Sequence, residues 1–180
     1  TYKLQRWILS NTFLTKNMQV LVYGDWDNQT KNIKSFFTAT YSESDKKVIE
    51  PKTLEGCIDF LFVGTLSKGK QPLYALQLVE ELHKLGKKVS IDLYGEGILS
   101  DNLAQYISEN ELESIVSLKG NQAKEVVLKA YQTSHFLILP SKSEGWPKVV
   151  AEAMFWGCVP LVTPVSCVPY MLGNGNRGII

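Results

Sequence analysis

Apolar positions along this chain fall into short runs set between polar, glycine-bearing stretches, and from residue 57 onward the alternation is regular. Residues 59–63, Asp-Phe-Leu-Phe-Val, are almost continuously apolar, as expected of a strand covered on both faces. Pro72 opens a helix in which Leu73, Leu76, Val79, Leu82 and Leu85 keep one face apolar, and Gly86 stands at its stop. Residues 89–94 predict the next strand, followed by Gly95, Glu96 and Gly97 and a helix over 100–110. Further strands are predicted over 115–118, 135–139 and 159–162, with helices over 123–132 and 147–156 between them. Strands alternating with helices of this length mean βαβ units. The expected fold is α/β, a Rossmann-like three-layer parallel sheet with helices on both faces.

The first forty residues read differently. Leu4, Ile8 and Leu9, with Trp7 and Phe13 nearby, recur at helical spacing. Residues 18–23 read as a buried strand, residues 24–28 as a break, and residues 33–40 as a second strand. Residues 41–56 are polar and charged, contain Pro51 and have no periodicity, which predicts a linker.

Composition narrows the function classes. At 180 residues, with 44% hydrophobic and 21% charged, the chain can bury a proper core and is not a disordered segment. A net charge of +1 argues against nucleic acid as the main partner, because binding to a phosphate backbone usually needs a basic excess. Cys57, Cys158 and Cys167 are scattered and odd in number, which fits a reducing compartment and disfavours a zinc site. No apolar run approaches the roughly 20 residues that span a bilayer.

Ligands of parallel α/β folds bind beyond the carboxyl ends of the strands, so the loops at 64–70, 95–97, 120–122 and 140–147 are where chemistry is expected. In the last of these, Pro147 suits the first position of a helix, and Gly145 permits close approach of backbone to a ligand. The free amides and dipole of that helix start form a seat for a phosphate. Glu144 lies before the helix, and Glu152 lies roughly 7–8 Å along its axis. Carboxylates accept hydrogen bonds from sugar hydroxyls. An anion seat between two such acceptors suits a nucleoside diphosphate sugar, with hexose at Glu144 and ribose at Glu152. The plain alternative makes Glu144 a solvated loop charge and Glu152 a surface helix residue.

Lys68 and Lys70 flank Gly69 in the loop at 64–70, where a lysine can neutralise a diphosphate. The spacing is not that of a P-loop, and the loop at 95–97 lacks the third glycine of a dinucleotide fingerprint. It reads as a tight turn with Gly95 lining the cleft. His83 is expected on an exposed helix face, and His135 as a satisfied residue at the start of a strand. No catalytic triad and no metal cluster can be assembled, so a metal site is not expected.

Four segments, in this order, carry a resemblance: Phe60-Leu-Phe-Val-Gly-Thr-Leu-Ser-Lys-Gly-Lys70, Tyr94-Gly-Glu-Gly97, Leu118-Lys-Gly-Asn121, and Ser143-Glu-Gly-Trp-Pro-Lys-Val-Val-Ala-Glu-Ala-Met154. Together they resemble the C-terminal, donor-binding half of retaining GT-B glycosyltransferases of family 4, the glycosyl transferases group 1 type. The resemblance spans residues 59–180. It implies that Glu144 binds donor-sugar hydroxyls and Glu152 the ribose, while amides around Gly145, Trp146, Pro147 and Lys148 receive the phosphates. It also implies that Lys70 serves the diphosphate, with Gly64, Thr65, Lys68 and Gly95 lining the donor site. Metal-independent, retaining transfer of a hexose from a UDP- or GDP-linked sugar follows, with no cofactor beyond that donor.

The resemblance further implies a division of the chain. Residues 1–41 are the end of an N-terminal acceptor domain, 42–56 the interdomain linker, and 57–180 a donor domain shortened at its C-terminus. The glycan or lipid-linked acceptor would bind mainly to the remainder of the N-terminal half, leaving this piece inactive alone. A cytoplasmic enzyme is implied, with peripheral association at the inner face of a membrane allowed. One departure stands out: Gly64-Thr-Leu66 occupies the place of the family's Gly-Arg-Leu, so a second cation would come from Lys68 or Lys148. Two rival readings are a non-catalytic nucleotide-sugar-binding or regulatory module of the same fold and a sugar-nucleotide epimerase.

Overall fold

A computed structural model describes the whole chain except residues 1, 25, 27–29, 39 and 47 and the side chain of residue 2. It divides into two compact units, residues 1–38 and 39–180. In the first, helix α1 (Tyr2–Ser10) precedes strands β1 (Val20–Tyr23) and β2 (Ile33–Phe36), which pair in parallel with Val20 opposite Ile33. The Asn32 side-chain amide donates to the Leu9 carbonyl at 2.8 Å and to the Thr15 hydroxyl at 2.7 Å, joining the end of the helix to the strand. The strand expected over 33–40 ends at Phe36. The break expected at 24–28 falls mainly on residues outside those described.

The second unit is built on β3 (Ile58–Val63), β4 (Val89–Tyr94), β5 (Val116–Gly120), β6 (Phe136–Leu139) and β7 (Val159–Val162), all parallel in the order β5-β4-β3-β6-β7. Helices α2 (Pro72–Lys84), α3 (Ser100–Glu109), α4 (Lys124–Thr133) and α5 (Lys148–Phe155) connect them, and the short α6 (Val168–Met171) follows β7. Phe60, Leu61 and Phe62 on the central strand are buried, which is why that segment is continuously apolar. The predicted strand over 115–118 is shifted, starting at Val116 and running to Gly120. Helix α5 begins at Lys148, so Pro147 is its N-cap rather than its first helical residue. The extended ψ of Pro147, 95°, keeps it outside the helix.

Right-handed crossovers put α2 and α3 on one face of the sheet and α4 and α5 on the other. Each layer carries one buried tyrosine–glutamate tie. Tyr106 of α3 donates to Glu80 of α2 at 2.6 Å, and Tyr131 of α4 donates to Glu152 of α5 at 2.9 Å. Thr40 and the aperiodic segment 41–56, with a 3-10 turn at Glu43–Asp45, lie along the second unit as a strap. Tyr41 stacks on Phe155 at 3.9 Å between ring centroids, and Ile49 packs against Gly157. The Lys52 ammonium donates to the carbonyls of Tyr131, at 3.0 Å, and Ser134. These lie at the negative end of α4, where a cation is favoured.

His135 is the satisfied residue that its position predicts. Its Nδ1 accepts the Asp59 N–H at 3.0 Å, so Nε2 carries the proton and donates to the Thr53 carbonyl at 2.9 Å. The pattern joins the strap to the ends of β3 and β6 farthest from the ligand loops. His83 is exposed, as expected.

Two outcomes follow from these ties. Replacing Lys52 by Met leaves the last carbonyls of α4 without their donor and is expected to lower stability by about 1–2 kcal/mol in urea denaturation. Glu80 is 4% exposed, and bonds from Lys84 and Tyr106 hold its carboxyl below the usual 4.5. Its stabilising contribution is therefore complete above that value and is lost as pH falls through the lower folded-state value. Urea midpoints measured from about pH 6 to about pH 3 should fall less steeply in Glu80→Gln than in the parent.

Candidate active site

The strand order reverses between β3 and β6, and at such a switch point the connections diverge and leave a crevice. The loop after β3 and the loop after β6 meet there. The Lys142 amide donates to the Gly69 carbonyl at 2.9 Å, tying one backbone to the other. Beside it, the Lys70 ammonium contacts both oxygens of Glu144, at 2.6 and 2.8 Å. The Glu144 side chain is only 8% exposed and that of Lys70 is 29% exposed. Two residues 74 positions apart, singled out from separate motifs, thus form one partly buried ion pair.

The loop carrying Glu144 is held from further directions. The Thr163 hydroxyl, just past β7, donates to the Ser141 carbonyl at 2.6 Å. The Cys167 thiol, at the N-cap of α6, donates to the Gly145 carbonyl at 2.8 Å, and burial raises its pKa, which keeps that proton in place. Trp146 is half-buried against the core, Pro147 is buried, and Gly145 and Lys148 are exposed. Thr65 and Lys68 are exposed on the loop after β3. Among the described residues, Lys70 is the one of these lysines that is ion-paired to Glu144.

The glycines at the strand ends do a different job from the loop residues around them. A Cβ on Gly95, at φ +129°, would lie 2.1 Å from the Gly64 carbonyl oxygen. A Cβ on Gly97 would lie 2.4 Å from the Leu66 carbonyl oxygen. The ends of β3 and β4 can approach this closely only without side chains there. Between them opens a cavity of about 290 Å³, lined by Gly64, Thr65, Gly95, Glu96, Asn121 and Gln122 among others. Asn121 donates to Glu96 across its mouth at 3.1 Å.

Glu152 lies on a second cavity, of about 230 Å³, between α4, α5 and the strap. Thr40, Tyr41 and Asp45 of the strap line it, with Lys124, Tyr131 and Trp156. Val127 lines both cavities, so they adjoin. Glu152 is half-buried rather than a free surface charge, with Tyr131 on one oxygen and the Thr40 hydroxyl on the other. Neither partner is legible from motif spacing. Thr40 lies 112 positions from Glu152, at the end of a segment that reads as a strand, and Tyr131 reads as one more apolar position of a helix.

The model of the glycosyl transferases group 1 family matches residues 44–180. The chain belongs to that family. An uncharacterised glycosyltransferase of Methanocaldococcus jannaschii is 24% identical over 151 residues, covering 83% of this chain and 40% of the relative. The GtfA subunit of a UDP-N-acetylglucosamine–peptide N-acetylglucosaminyltransferase of Limosilactobacillus reuteri is 24% identical over 133 residues, covering 74% and 24%. Among solved structures, a variant of S. aureus TarM in complex with fondaparinux, alpha-GlcNAc-glycerol and UDP superposes with a TM-score of 0.67 at 20% identity. That match covers 99% of this chain and 36% of TarM. The group 1 chain spans 40% or less of the length of the curated relatives it matches. Its parallel five-stranded unit has the Rossmann-like architecture of one half of a GT-B glycosyltransferase. No helix among its described residues is long and apolar enough to cross a membrane.

The close approach of β3 and β4 makes Gly95 the sharpest test of this architecture in the group 1 fold. Gly95→Ala drives a Cβ into backbone and is expected to lower the melting temperature by roughly 10 °C, read by circular dichroism.

Proposed function

We propose that residues 57–180 form the C-terminal, donor-binding half of a retaining glycosyltransferase that takes a hexose from a UDP- or GDP-linked sugar without a metal ion. The single observation that carries this reading is the Lys70–Glu144 pair at the switch point. In a nucleotide sugar, one oxygen separates the anomeric carbon from the β-phosphorus. The group that binds the hexose and the cation that serves the phosphate must therefore be neighbours, as Glu144 and Lys70 are. Glu152, one turn into α5, supplies the ribose acceptor on the adjoining cavity.

The chemistry then rests on electrostatics. Negative charge grows on the departing nucleoside diphosphate, and groups aimed at it beforehand stabilise the transition state. Lys70 supplies a point charge. The first amides of α5, which have no partner within the helix, supply oriented dipoles. Glu144 accepts hydrogen bonds from hexose hydroxyls and keeps the anomeric carbon facing the side from which the acceptor arrives. With Thr65 in place of an arginine, the exposed Lys68 or Lys148 adds the second cation to the diphosphate seat. The acceptor, a glycan or lipid-linked sugar, binds in this reading mainly outside residues 57–180.

The test is kinetic and stereochemical, on the intact protein. Lys70→Ala should lower kcat by roughly 10²–10³-fold, and Glu152→Ala should raise the donor KM by about tenfold. Proton NMR of the product should report the same anomeric configuration as the donor, with activity unchanged in excess EDTA. An inverted product, or full activity in Lys70→Ala, would remove the reading.

A further inference from the structure

The two tyrosine–glutamate ties look alike, and in the second the carboxylate and its tyrosine line one cavity together. Glu80 bonds Tyr106 and Lys84 in the packing of α2 against α3. Glu152 bonds Tyr131 and Thr40 and lines the 230 Å³ cavity with both of them. A carboxylate has about four acceptor sites on its two oxygens. One site on each oxygen is taken by a protein hydroxyl, which leaves one site on each for a ligand. Such a carboxylate presents a fixed pair of lone pairs, the arrangement that matches two adjacent hydroxyls on a five-membered sugar.

We propose that Tyr131 and Thr40 are positioning residues that hold the Glu152 carboxylate for the vicinal hydroxyls of the donor's ribose, which makes the strap part of the nucleoside seat. The inference rests on the reading that Glu152 is the ribose acceptor. Three observations carry it. Tyr131 is 2% exposed, so its ring cannot leave the α4–α5 interface, and its hydroxyl has one direction in which to donate. Burial, and then the Glu152 charge, push the phenol far above its usual range, so it stays a protonated donor. Thr40 is anchored on its other side as well, because Lys124 donates to its carbonyl at 3.1 Å and the next residue, Tyr41, stacks on Phe155. A side chain of three rotatable bonds is thereby held from α4 and the strap before any ligand arrives. Preorganisation of this kind strengthens binding by removing the ordering cost.

Calorimetry on the intact protein separates positioning from mere packing. UDP and GDP are titrated, and the tighter of the two is compared with its 2′,3′-dideoxy analogue and with inorganic pyrophosphate. Tyr131→Phe and Thr40→Val, each losing only a hydroxyl, should weaken the nucleotide by about tenfold and threefold. Neither should change the dideoxy analogue or pyrophosphate. Tyr106→Phe, the matching tie in the other helix layer, should lower the melting temperature and leave all three ligands unchanged. In turnover, Tyr131→Phe should raise the donor KM with kcat unaltered. If Glu152→Gln abolishes the preference for the ribose hydroxyls while Tyr131→Phe and Thr40→Val bind as the parent does, positioning is overturned and the donor site stands. If Glu152→Gln keeps that preference, or neither nucleotide binds, the donor-site reading falls and the inference with it.

Discussion

The crevice between β3 and β6 exists because the chain leaves these two adjacent parallel strands toward opposite faces of the sheet. Every other feature of the site depends on that divergence. It opens room between two loops, and the Lys142–Gly69 hydrogen bond and the Lys70–Glu144 ion pair then span the room. A carboxylate as covered as Glu144 would be costly without its ammonium, and paired it is tolerable. The pair contributes geometry more than stability: it sets a cation and a carboxylate side by side at the carboxyl ends of two inner strands.

Around that point the fold arranges its support in layers. Glycines allow β3 and β4 to end almost in contact, which shapes the cavity at Gly64 and Gly95. Thr163 and Cys167 hold the loop of Glu144 from beyond β7. Tyr131 links α4 to α5 beneath Glu152, and the strap runs along the same face from Thr40 to the last turn of α4 at Lys52. The carboxylate of Glu152 is thus held by two separate segments of chain, α4 and the strap. Functional side chains held by other side chains, on helices and not on free loops, keep their geometry.

The alternation of apolar strands and amphipathic helices was legible because each is a local pattern. The periods of strand and helix differ, and β4 and β7 match the predicted spans. Element ends were less legible. Pro147 suits the first turn of a helix by its fixed φ, but its ψ places it just outside α5. The strap is the larger case. Its order comes from Tyr41 stacking on Phe155 and Lys52 capping α4, contacts with residues far along the chain that leave no periodic trace.

What the sequence alone determined is the set of chemically capable residues and the loops that carry them, Lys70 after one strand and Glu144 and Glu152 around another. Spacing within a motif is a local property, and local properties survive in one dimension. It took the folded chain to bring Lys70 to Glu144, to hold Glu152 between Tyr131 and Thr40, and to lay Thr40, Tyr41 and Asp45 along the cavity at Glu152. Those contacts arise from strand order and helix packing, which bring together positions 74 and 112 residues apart.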